Sequence, residues 1–347
     1  MYSLNASLVQ MTLRRMVMSS GTAYSHVIAH HRLSGEDVMM LQTLSSRKLQ
    51  ALDNLPISLF RVSYENMNVG NSGIDDDIFE TSCISLTMIL EAINFTTQNN
   101  LNPMIGIGFD QQGFNHFRGE PFLRRLHLVR KGGFALTTRF NLKGLELDAD
   151  DHQAQLRDVV RILMGDYRYL SQSHPKRVGQ ILDWNVDMVG SEFIAEQLLL
   201  AGITPKLVAA HVGADDLVNR LNRKFRRENK SDCKPGGRVG SFSKAISRHK
   251  YDAVLFILIY LLLGNKPDTR INGFAACKAI QEYREICGHI GIDDSDMLDP
   301  SYCWLLASAF RSLEMKLERC NSPSCRGYFV RDVRKRSRCI WCKTSGL

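Results

Sequence analysis

Apolar residues recur every three or four positions along most of the chain and alternate over only a few short stretches, a pattern that predicts a mainly α protein. Helical spacing runs from Leu4 to Met18 and again through "SGEDVMMLQTL", where Ser34 can cap and acids fill the first turn. "SSRKLQALDN" reads as a third, short helix. "ISLFRVSY", with β-branched and aromatic residues, reads as a strand, and the "NVGNSGIDDD" cluster after it as a turn or loop. "IFETSCISLTMILEAINF" has the period and length of another helix. Residues 1–100 are therefore expected to form one small helical domain, of a kind suited to dimerisation.

The pattern changes over 101–182, a middle segment of mixed character. "NPMIGIGFDQQGFNHFRGEP" is rich in Gly and Phe, and "LVRKGGFALTTRFNLKGLEL" alternates like a β-hairpin turning at Gly132 and Gly133. "DDHQAQLRDVVRILMGDYRYL" closes the segment as a helix. "GIGFDQQG" lacks the spacing and the lysine of a phosphate loop and reads as a simple turn.

Residues 183–318 return to helical periodicity. In "TPKLVAAHVGADDLVNRLNRKFRRENK" a short helix begins near Pro205, Gly213 supplies a tight turn, and Asp215 or Asp216 starts a second helix that becomes densely basic. This is the layout of a helix-turn-helix, whose second helix enters the major groove of DNA. A solvated basic helix face is the competing use of the same residues. "CKPGGRVGSFSKAISRHKYD" reads as a basic loop, and "GFAACKAIQEYREICGHI" supplies core. "AVLFILIYLLL" is about half of the roughly 20 residues that cross a bilayer and reads as a buried helix, so no membrane partner is expected.

Charge sharpens this picture. Lys and Arg number 44 against 36 Asp and Glu, for a net charge of +8, which makes a polyanion the first partner to consider. The amino terminus places its arginines after the first apolar positions, unlike a secretory signal, so a cytoplasmic protein is expected. No nucleophile, base and orienting group come together, and His211, His249 and His289 read as packing or surface residues; an enzyme is not expected.

Four of the nine cysteines fall in the final segment, 319–347, as a C-x4-C pair, Cys320 and Cys325, and a C-x2-C pair, Cys339 and Cys342. Two short turns that each offer two sulfurs match the tetrahedral preference of one structural zinc ion. A redox dithiol is the alternative for C-x2-C alone. Cys83, Cys277, Cys287 and Cys303 lie in apolar helical contexts and read as buried, inert thiols. Between the two pairs stand Arg326, Arg331, Arg334, Lys335, Arg336 and Arg338 against Asp332, with Tyr328 and Phe329 to pack the module. Zinc would preorganise this basic stretch for phosphate contacts.

On the second helix of the helix-turn-helix, Arg220, Arg223, Lys224, Arg226 and Arg227 are the expected phosphate and groove contacts, and Asn219 and Asn222 the candidates for base edges. Arg331, Arg334, Lys335, Arg336 and Arg338 would add contacts from the zinc module. The alternative is an RNA-binding or scaffold protein that uses the same basic surfaces without promoter specificity.

From about Asp183 to Leu347 the chain resembles FlhC, a subunit of the bacterial flagellar master transcriptional activator family. The likeness rests on "LLLAGITPKLVAAHVGADDLVNRLNRKFR", on "KPGGRVGSFS", and on the four-cysteine module after a long helix, "YCWLLASAFRSLEMKLERC". Residues 1–100 are similar to the partner subunit FlhD through "HHRLSGEDVMMLQTLSSRKLQALDNLPISLFRVSYE" and "FETSCISLTMILEAI". The resemblance implies that Cys320, Cys325, Cys339 and Cys342 bind zinc. It also implies a hetero-oligomer on promoter DNA that recruits RNA polymerase. Two departures stand out: C-x4-C replaces the usual C-x2-C, and both parts share one polypeptide. The fusion enforces equal numbers of the two parts unless separate FlhD-like subunits join a homo-oligomer.

Overall fold

The computed structural model describes residues 39, 43–64, 76–109, 111–131, 133–139, 144–173, 190–228, 240–263, 271, 273–325, 327–335 and 338–342. Among the described residues helices dominate and two small antiparallel ladders form, so the protein is mainly α. The helix expected from Leu4 to Met18 and the loop at 68–75 lie outside the described residues, as does most of the helix expected at 34–44. Two compact units are formed, Met1–Asp166 with Gly288–Gly291, and Tyr167–Cys287 with Ile292–Leu347.

In the first unit the order is α1 (Ser46–Asp53), β1 (Phe60–Tyr64), α2 (Asp76–Gln98), α3 (Pro103–Ile107), α4 (Gln111–Gly119), α5 (Phe122–Arg130) and β2 (Phe134–Thr138), followed by α6 (His152–Ser173). Ser45 caps α1 and Asn102 caps α3, each accepting a hydrogen bond from a first-turn backbone N–H. The hairpin expected around Gly132 and Gly133 does not form. Leu128–Arg130 is the end of α5, and β2 pairs instead with β1, Val62 opposite Leu136, some 70 residues earlier in the chain. The core gathers Phe60, Met88, Ile89, Phe109, Phe117 and Phe134. The rings of Phe117 and Phe134 meet edge to face at 5.0 Å. The turn read in "GIGFDQQG" falls at Gly108, whose φ of 58° ends α3 in the left-handed region.

Arg139, just past β2, is buried and carries a dense network. It pairs with Asp166 of α6, and its guanidinium donates to the carbonyls of Ser58 (3.0 Å), Gly106 (2.9 Å) and Ile105 (2.7 Å). Arg61 approaches the same carboxylate at 3.4 Å. A charge is tolerated in this core because nearly every donor meets an oxygen.

In the second unit α7 (Ser191–Leu200), α8 (Pro205–Val212) and α9 (Asp215–Arg227) pack on one another, followed by α10 (Phe242–Arg248), α11 (Lys250–Leu262), α12 (Gly273–Ile290), α13 (Pro300–Arg311), β3 (Met315–Arg319) and β4 (Tyr328–Asp332). Ala253–Leu262 are all buried, as an apolar run of helical length must be when water surrounds the protein. Among the described residues no helix is long and apolar enough to cross a membrane. Two sequence expectations change here. Phe242–Arg248, read as part of a loop, is helical, because Phe242 and Ala245 bury one face. The long helix before the cysteines stops at Arg311; Leu313 turns at φ 60°, and Met315–Arg319 leave as a strand to pair with Tyr328–Asp332.

Candidate metal centre and nucleic-acid interface

The β3–β4 ladder fixes the first pair of cysteines. Cys320 follows β3 directly, its N–H donating to the Gly327 carbonyl at 2.8 Å, and a turn closed by Cys325 N–H to Ser322 O (3.1 Å) returns the chain. Cys339 and Cys342 approach from the carboxy-terminal side. Cys320 and Cys342 sulfurs stand 3.5 Å apart, Cys325 and Cys339 3.6 Å, and all four lie within 4.8 Å of one another. Disulfides would need about 2.05 Å. A tetrahedron with metal–sulfur bonds of about 2.3 Å has sulfur–sulfur edges near 3.8 Å, which this cluster approaches. The four cysteines can therefore hold a metal ion.

Burial, and then hydrogen bonding to neighbouring thiols, push Cys325 up to about 12, and burial pushes Cys339 upward as well. Four protonated thiols have no strong partner in each other, whereas a cation at their centre makes thiolates the favoured form. Elsewhere burial pushes Cys277 up to about 12 and raises Cys287 and Cys303; Cys287 and Cys303 are the buried thiols expected, whereas Cys83 and Cys277 are only half-buried at the edges of their helices' packed faces.

The module is seated on α10 and α11. Asp332 accepts from the Ser243 hydroxyl and from Arg334 N–H at 3.0 Å; against burial, which raises it, these bonds hold its carboxyl low. Arg334 lies over the Phe242 ring at 5.1 Å. Tyr251 meets Trp341 at 5.2 Å between ring centres and donates its hydroxyl to the Ile340 carbonyl at 3.3 Å.

This seating spends some of the basic residues proposed for nucleic acid. Arg331 pairs across the ladder with Glu318 at 3.1 Å, and Arg334 with Glu314 at 3.1 Å and Asp332 at 3.5 Å. Lys335 and Arg338 are exposed, and Arg336 and Arg326 lie outside the described residues.

The helix pair is formed as expected: α8 opens with Pro205, Gly213 turns at φ 74°, and α9 starts at Asp215. Val218, Leu221 and Phe225 bury one face of α9 against α7 and α8. Its opposite face exposes Asn219, Arg220, Arg223, Lys224, Arg226 and Arg227, five cations and an amide in 13 residues. Asn222 is placed differently, half-buried, with its Oδ1 enclosed. Asp215 and Asp216 sit at the helix start, where the dipole favours acids, and the cations at its end, where it favours them. Arg220 meets Glu192 of α7 at 3.2 Å in an exposed pair, which solvent screens heavily. His211 is a packing residue, its ring edge to face with Trp304 at 4.9 Å.

No protein-family model matches the chain, and no curated protein and no solved structure matches it significantly.

Proposed function

We propose that the protein is a sequence-specific DNA-binding transcriptional activator resembling the flagellar master regulator, with α9 as recognition helix and one structural zinc ion held by Cys320, Cys325, Cys339 and Cys342. The observation that carries this reading is α9 itself: one face anchors it in a three-helix cluster, and the other presents polar and charged groups to solvent, acidic in the first turn and basic from Asn219 onward. Asp215 and Asp216 repel phosphates, so the basic half from Asn219 onward is the part that enters the groove. Asn219, Arg220 and Arg223 are the base readers in this account, and Lys224, Arg226 and Arg227 hold phosphates.

Zinc would supply no reactive chemistry. With all four positions filled by protein sulfur, it would fold the terminal module and keep Lys335 and Arg338 beside α10 and the start of α11. Residues 1–100 would provide self-association or bind FlhD-like subunits, and the assembled activator would recruit RNA polymerase.

Gel-shift competition tests the reading. Binding to a selected duplex should resist an excess of unrelated duplex and of RNA. Equal competition by RNA would favour the RNA-binding or scaffold alternative instead.

A further inference from the structure

Between α10, the first turn of α11 and the metal module lies a cleft of about 810 Å³. Its helical wall carries Lys244, Ser247, Lys250 and Tyr251; its module wall carries Lys335 and Arg338. Ile246, Val330 and Ile340 make it apolar between these polar edges.

The charge balance of this cleft is one-sided. Lys244, Lys250, Lys335 and Arg338 make no ion pair among the described residues, in contrast to Arg331 and Arg334 of the same module. The one acid in the wall, Asp332, is already occupied by the Ser243 hydroxyl and by Arg334. Four like charges around one concavity repel each other and focus a positive potential, which an anion relieves. A phosphate alone would leave most of the space empty, since this volume lies within the roughly 300–1,000 Å³ of small-molecule sites. The Tyr251 ring and the three aliphatic side chains suit a flat apolar body, and the cations and Ser247 suit a phosphate.

We propose that this cleft binds a small phosphomonoester bearing a flat ring, a ligand of the nucleotide class, and does so only while the metal module is folded. The dependence follows from Arg338, Cys339 and Ile340, which line the cleft and belong to the metal-binding loop. This site goes beyond the DNA reading and shares only Lys335 and Arg338 with it.

The test is calorimetric titration of the full, metal-loaded chain with AMP, with adenosine and inorganic phosphate as controls. AMP should bind saturably and more tightly than either control, and Lys244→Ala with Lys250→Ala should weaken it about tenfold or more. Both lysines are exposed, so an unchanged thermal midpoint will show that the double variant is folded. Stripping the metal should abolish the AMP signal. Absence of saturable AMP binding, equal binding of adenosine, or an unaffected double variant would each overturn the proposal. So would a short random duplex that displaces AMP and is weakened by the same factor in the double variant, since the cleft would then be a stretch of DNA backbone path.

Discussion

The indole of Trp341 fills the space above Gly327: a Cβ at position 327 would come within 2.8 Å of Trp341 Cγ, while Trp341 Nε1 donates to the Tyr328 carbonyl at 2.6 Å. Gly327 lies two residues after Cys325, and Trp341 one before Cys342, so this contact joins the two cysteine turns. Gly327→Ala must push the ring away and break that hydrogen bond. We expect a cost of about 1–3 kcal/mol to the module and faster loss of metal to a chelator, read by a colorimetric competition assay. Retention equal to the wild type would mean that the turns are held without the indole.

Freshly purified, reduced protein should carry about one zinc per chain, because four sulfurs close one tetrahedral site. Cys339→Ser should lose it, lower the thermal midpoint and weaken DNA binding, since metal affinity is also folding free energy for so small a module. Elemental analysis and a binding titration on both proteins check this.

A different element governs the first unit. Asp166 is the buried carboxylate that both Arg139 and Arg61 approach. Asp166→Ala leaves two enclosed guanidinium groups without it and should cost about 3–5 kcal/mol, measured by denaturant unfolding. A cost below about 1 kcal/mol would show that the carbonyls around Arg139 suffice.

Stability should also depend on pH through Asp252 of α11. Burial raises its carboxyl above the ordinary range, against the lowering effect of the Tyr283 hydroxyl, which donates to it at 2.8 Å, and of His249. The folded state therefore holds a proton that the unfolded state releases at about pH 4, and the contribution of this group to stability declines as pH rises through that window. Relative to the wild type, Asp252→Asn should gain stability from about pH 4 upward and then level off. Unfolding curves for both proteins at several pH values give the difference, and a pH-independent difference would contradict the assignment.

The helices with strong periodicity were legible in the sequence: α2, α6, α8, α9, α11 and α12 stand where the apolar spacing and caps put them. So was the four-cysteine cluster, because cysteine spacing reports local turns. Long-range pairing was not. Phe134–Thr138 alternates as a strand in either arrangement, and only tertiary packing decides that Phe60–Tyr64, and not its own neighbour, is the partner. Met315–Arg319 sits in a stretch that continues the helical period of α13, and its strand form depends on pairing with Tyr328–Asp332. For the same reason, the module presents less free positive charge than its arginine content implies. Arg331 and Arg334 find Glu318 and Glu314, acids upstream of the cysteines that meet them only once the ladder has formed. The cleft beside Lys244 and Lys250 exists only because Phe242–Arg248 is helical, which the Gly-, Ser- and Lys-rich stretch around it does not announce.

On the proposed reading, α9 reads sequence and does not merely attract charge. The most direct measurement is selection of duplexes from a randomised pool by the full, zinc-loaded chain, repeated with Arg220→Ala and Arg223→Ala. We predict a shared motif after selection, and for either substitution a loss of about 1–3 kcal/mol in preference for that motif with a smaller loss on random duplex. A pool that stays random, or a motif selected equally well by both variants, would contradict the account.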